Sequence, residues 1–119
     1  MRKTLLASTC LAALLSAPVR AETTITTATT TPVRTSTIKS GAADDIKITA
    51  AGSVKPSGGT AVTIDSNHKV ANEGTIQITN SDGATGIWAN AGTTGGITNA
   101  AGAKIIIDGE PKRRRSPPR

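Results

Sequence analysis

The sequence predicts an all-β fold, a fragment of a parallel β-helix of about two coils that follows a cleavable signal peptide. Three observations point there. The apolar residues are small or β-branched, with no Phe or Tyr, a single Trp and 12 Gly among 119 residues. Such side chains suit short strands joined by tight turns, because branched Cβ atoms pack well on a pleated surface and Gly supplies turn conformations. Aliphatic residues recur at Ile46, Val54, Val62, Val70, Ile78, Ile87, Ile97 and Ile105, in steps of eight to ten. Finally, an alternating segment returns as Ile46-Lys47-Ile48-Thr49, Ile76-Gln77-Ile78-Thr79 and Ile105-Ile106-Ile107-Asp108.

Each aliphatic mark reads as one short strand, since alternation around it (Ala61-Val62-Thr63-Ile64-Asp65) places one face inward and one in water. Gly52, Gly58-Gly59, Gly74, Asp82-Gly83, Gly95-Gly96 and Gly102 lie between the marks, as turn residues do. A sandwich would need bulkier side chains to fill ~10 Å between two sheets. Three strands with their turns make a coil of about 24 to 30 residues, so a repeat of about 30 reads as one turn of a solenoid. On that spacing Ile46, Ile76 and Ile105 are expected in one interior column and Val70 above Ile97 in another. Asn72 and Asn99 are expected to stack at a turn, amide on amide.

The ends of the chain differ from this middle. Met1-Arg2-Lys3-Thr4 is a positive start, Leu5 to Ser16 is apolar, and Ala17-Pro18-Val19-Arg20-Ala21 ends in small residues at −3 and −1. Residues 1–21 therefore read as a secretory signal peptide cleaved between Ala21 and Glu22; a bilayer span needs ~20 apolar residues. Cys10 lies inside the apolar run, so the mature chain has no cysteine and no disulfide to staple it. Residues 22–40 form a Thr-rich linker or N-terminal cap, with nine Thr between Glu22 and Thr37. Residues 41–109 carry the repeats, and 110–119 form a basic, Pro-rich tail expected to be disordered.

Charge excludes one function class for the centre. Of 14 Lys and Arg, three precede Glu22 and five lie in the last eight residues, leaving six against eight acids. A middle of net charge −2 with one aromatic residue does not offer the basic groove and stacking platforms of a nucleic-acid binder.

Catalytic constellations are sparse too. Asp44 and Asp45 are adjacent, so in a strand they face opposite ways and read as a solvated turn pair. Asp65, His68 and Lys69 share a turn that brings a base near an acid, with no nucleophile or metal-ligand spacing; His68 reads as an exposed turn residue. No P-loop, zinc pattern or calcium-binding loop occurs, so no cofactor and no enzyme activity are expected. Trp88 follows inward-facing Ile87 and is the candidate surface contact, for a sugar or a partner protein, unless it only shields the sheet.

The signal peptide, the Thr-rich start, Asp45-Ile46-Lys47-Ile48, Gly59-Thr60-Ala61-Val62-Thr63-Ile64, Val70-Ala71-Asn72-Glu73-Gly74-Thr75-Ile76, Gly86-Ile87-Trp88-Ala89-Asn90-Ala91-Gly92 and Gly96-Ile97-Thr98-Asn99-Ala100-Ala101-Gly102 resemble, over residues 1 to about 109, the N-terminal passenger region of bacterial autotransporter outer-membrane proteins. The resemblance implies a right-handed β-helix, secreted and displayed at the cell surface, and a role in adhesion. It implies partners in the secretion machinery and an unnamed cell-surface ligand, but no nucleic acid and no membrane span in the mature chain. The family's C-terminal barrel is not in this sequence, so the chain reads as a truncated passenger, exported and retained in the periplasm. The alternatives are a fragment of a carbohydrate-active β-helix enzyme and a small exported protein with a basic tail. The abrupt change at Glu110-Pro111 reads as a frameshift or premature stop.

Overall fold

A computed structural model describes residues 22–109. The chain winds as a three-sided solenoid of eleven strands: β1 (Glu22–Ile25), β2 (Ala28–Thr29), β3 (Val33–Arg34), β4 (Asp45–Ile48), β5 (Ser53–Val54), β6 (Thr60–Ile64), β7 (Val70–Asn72), β8 (Thr75–Ile78), β9 (Thr85–Ala89), β10 (Ile97–Asn99) and β11 (Lys104–Ile107). Every third strand falls on the same side. The sheets run β1-β4-β7-β10, β2-β5-β8-β11 and β3-β6-β9, here called the first, second and third sheets. All pairings between these strands are parallel. Three full turns and two sides of a fourth are present, against the two coils expected, because the Thr-rich segment itself supplies β1, β2 and β3.

Parallel stacking puts like on like in the interior. The buried core is Val33, Ile46, Ile48, Val54, Ala61, Val62, Ile64, Val70, Ile76 and Ile78. Each of the eight aliphatic marks from Ile46 to Ile105 sits in its own strand, from β4 to β11. One expected column is corrected: Ile46 pairs with Val70, while Ile76 pairs with Val54 and Ile105. The cause is geometric. A coil closes after three strands, so the similar segments at Ile46 and Ile76 lie on the first and second sheets. The expected column of Val70 and Ile97 is present, as is the pairing of Asn72 with Asn99.

The turn between the first and second sheets is tight. A Cβ at Gly74 would collide with the carbonyl oxygens of Gly52 and Thr49, and one at Gly52 with the carbonyl of Ile25. These glycines are required by contact between successive coils, which leaves no room for a side chain. Beside them Asn72, fully buried, donates through Nδ2 to Asn99 Oδ1 at 2.7 Å and to the Lys104 carbonyl at 3.2 Å. Its Oδ1 accepts from the Gly74 N–H at 3.1 Å.

The last coil has nothing stacked on it among the described residues. Ile97, Ile105, Ile106 and Ile107 are 39–44% exposed. Ile105 and Ile107 nevertheless reach towards Gly86 of β9, where a Cβ would stand 3.0 Å from Ile107 Cδ1 and 3.1 Å from Ile105 Cγ2.

Candidate functional site

The corner between the third sheet and the first collects Asp44, Asp45 and Asp65. Asp44 and Asp45 are 7% and 5% exposed, which corrects the expectation of a solvated turn pair. Burial is tolerated because each carboxylate is given hydrogen bonds by a neighbouring coil. Thr23 donates through its hydroxyl to Asp44 Oδ2 at 2.9 Å, and the Asp45 N–H donates to Asp44 Oδ1 at 3.0 Å. Asp45 Oδ1 accepts from the Lys69 N–H at 3.0 Å and lies 3.0 Å from His68 Nδ1. Burial pushes the Asp45 carboxyl up, but the Lys69 N–H and the hydrogen bond and charge of His68 together hold it below its ordinary value.

The expected acid–base neighbours are therefore rearranged. His68 sits on Asp45 rather than on Asp65, and its side chain is 38% exposed. Asp65 binds backwards, to the first coil: Ser36 donates to it through its N–H at 2.9 Å and its hydroxyl at 2.8 Å, and the Thr35 hydroxyl lies at 3.3 Å. Burial raises the Asp65 carboxyl and these donors outweigh it, leaving it below the ordinary range. Thr35, fully buried, also accepts from the Asp65 N–H and the Ser66 hydroxyl. Sequence reasoning missed these partners, since they lie 21 to 31 residues away along the chain.

An open depression of about 250 Å³ lies beside the Asp45 corner, lined by Asn67, Lys69 and the backbone around Gly95-Gly96. Among the described residues no group of three or more His, Cys, Asp and Glu is placed to hold a metal ion.

A second and larger depression lies on the outer face of the third sheet. Strand pairing sets Arg34 of β3, Thr63 of β6 and Trp88 of β9 in one row across the three coils. The row is about 10 Å long, two inter-strand spacings of ~4.8 Å. Trp88 is 57% exposed and points outward, as alternation after Ile87 predicts, whereas Thr63 between its two large neighbours is only 9% exposed. Together with Thr60, Asn90 and the Gly58-Gly59 turn they line a groove of about 490 Å³. The Arg34 side chain is 61% exposed, with Nη1 3.5 Å from Asp65 Oδ2. Because Asp65 already accepts shorter bonds from Ser36, this long contact leaves most of the guanidinium's donors facing solvent. Of the expected cleavage pair, Ala21 lies outside the described residues and Glu22 opens β1.

Comparison with family models, with curated proteins and with solved structures returns no match to this chain. Among the described residues no helix is long and apolar enough to cross a membrane.

Proposed function

We propose that this chain is an exported, non-catalytic solenoid, the N-terminal part of a surface-displayed passenger of the autotransporter kind, and that it serves as a structural scaffold for adhesion. One observation carries the reading: three of its acids, Asp44 and Asp45 buried and Asp65 half-buried, are used to bind coil to coil. Asp44, Asp45 and Asp65 each accept hydrogen bonds from a different coil. A carboxylate used as a general acid or base needs an accessible proton position beside substrate, and each of these three has at least one oxygen engaged by a neighbouring coil. A stack without cysteines after Glu22 also suits a chain that crosses membranes unfolded and folds outside.

One specific feature favours a second reading, a fragment of a carbohydrate-active solenoid: the Asp45–His68 pair opens beside the smaller depression. A screen against common polysaccharides separates the two. The scaffold gives no turnover, and turnover lost on His68→Ala establishes the enzyme reading instead.

Export is tested by expressing residues 1–119 in a Gram-negative host and sequencing the product's N-terminus. The expected product begins at Glu22 outside the cytoplasm. A cytoplasmic product that keeps Met1 overturns the proposal.

A further inference from the structure

We propose that the groove on the third sheet binds an acidic oligosaccharide, with one sugar ring stacked on Trp88 and the carboxylate of a neighbouring sugar on Arg34. The inference rests on the reading of the chain as a displayed adhesive scaffold and names the ligand class of that scaffold.

The row Arg34, Thr63, Trp88 supplies the parts in order. An exposed indole is a flat apolar platform with a polar edge, and it covers the apolar face of a sugar ring while leaving the hydroxyls in water. Trp88 has that exposure on an outer sheet face, where among the described residues no further coil covers it. Thr63 stands between platform and cation and Thr60 and Asn90 line the same groove, and their hydroxyls and amide are the donor and acceptor set that ring hydroxyls require.

Arg34 lies two strand spacings from Trp88, about 10 Å. That span is comparable with the length of two linked sugars, so a ring on Trp88 brings the next sugar or its substituent to Arg34. Charge decides which sugar. The nearest carboxylate, Asp65, is satisfied by Ser36 and Thr35, and its 3.5 Å contact with Arg34 is longer than a charge-assisted hydrogen bond. The guanidinium faces outward with donors to spare, and a sugar carboxylate fits its fork. A neutral oligosaccharide of equal length gains only the Trp88 half of the site. The parallel stack holds all these groups on strands or their adjoining turns, so the row is fixed before the ligand arrives.

Trp88 is the only Trp in the chain and there is no Tyr, so fluorescence of the full chain reports on this groove alone. Tetragalacturonate is expected to shift the emission of Trp88 in a saturable way that weakens with added salt. Cellotetraose, neutral and of equal length, is expected to bind about tenfold more weakly, and Arg34→Gln should bring the acidic sugar down to that level. The basic tail at Lys112 to Arg115 also attracts polyanions, so the second readout is retardation of the chain in native gels containing polygalacturonate. Trp88→Leu should lose the groove-dependent part of the retardation and retain the wild-type circular dichroism. A chain with Lys112, Arg113, Arg114 and Arg115 all changed to Gln should keep the fluorescence response. Retardation that survives Trp88→Leu but disappears with the tail substitutions overturns the proposal, as does an emission spectrum unmoved by either sugar. Export of the parent chain is scored separately: a parent chain that is not exported but binds the acidic sugar sinks the scaffold reading and leaves the groove assignment intact.

Discussion

The amide of Asn72 donates to the amide oxygen of Asn99 at 2.7 Å, from one coil to the next, at the turn between the first and second sheets. The two side chains are not equivalent. Asn72 is fully buried and also satisfies the Lys104 carbonyl and the Gly74 N–H, whereas Asn99 lies on the exposed last coil. Asn72→Ala leaves buried polar groups without partners and should cost about 1–3 kcal/mol. Asn99→Ala loses the same part-buried bond, but Asn72 Nδ2 keeps the Lys104 carbonyl and Asn99 itself is exposed, so it should cost clearly less. Chemical denaturation of both variants checks the order, and equal losses contradict it.

A second expectation concerns coil contact. The Cβ of Gly74→Ala would overlap two carbonyl oxygens that cannot move independently of their coils. A Cβ at Gly96, by contrast, would meet nothing within 4 Å, and the backbone there is not left-handed. Gly74→Ala should therefore prevent cooperative folding or cut stability by several kcal/mol, while Gly96→Ala stays within about 0.5 kcal/mol of the parent. Comparable thermal melts for the two variants would contradict this account of the turn.

Much of this architecture is legible in the sequence, and what is not has a definite cause. The eight aliphatic positions from Ile46 to Ile105 mark eight successive strands, because an inward side must carry an apolar residue wherever the strand lies. Coil register is not marked in that way. Ile46-Lys47-Ile48 and Ile76-Gln77-Ile78 look alike because both line the interior, although they belong to different sheets. Only closure of three sides fixes which residues meet. The outward placement of Trp88 follows from local alternation, but its row with Arg34, two coils earlier, depends on that register and is invisible along the chain. The same holds for Asp65 with Ser36 and for Asp45 with His68.

A third expectation follows from the carboxylates. Asp45 and Asp65 both titrate below their ordinary value of 3.8 in the folded chain. A depressed folded value means that the ionised form is favoured by folding. The stabilisation is complete above the ordinary carboxylate range and is lost as pH falls through 3.8 towards the folded values. Denaturation midpoints should hold steady from neutral pH to about pH 5 in this respect and then drop. Asp65→Asn should be less stable than the parent at about pH 7, and the difference should shrink below about pH 4. A gap that stays constant down to about pH 2.5 would mean that Asp65 does not supply this pH dependence.

The last expectation concerns the end of the stack. β9, β10 and β11 are the final strands of their sheets among the described residues, so each presents a row of backbone groups with no neighbour beyond it. Such an edge is a template for pairing with another chain, and apolar side chains strengthen the tendency. Here Ile97, Ile105, Ile106 and Ile107 are all partly exposed on that end. The N-terminal end differs, since half of the residues of β1 and β2 are Thr and meet water at lower cost. Residues 22–119 should therefore associate with rising concentration, and association should begin at the Ile-rich end. Ile105→Lys places a charge where a stacked strand would have to bury it, so it should reduce association by about tenfold or more, the effect of about 1.4 kcal/mol of burial cost or greater. Strand content should change little, because the Ile105 side chain is already 42% exposed. Thr24→Lys, at the opposite end, should have no such effect. Sedimentation velocity across a concentration series, with circular dichroism on the same samples, measures both quantities. A parent chain that stays monomeric throughout, or a Thr24→Lys variant that blocks association as well as Ile105→Lys does, would show that the open end of the second sheet is not the site of contact.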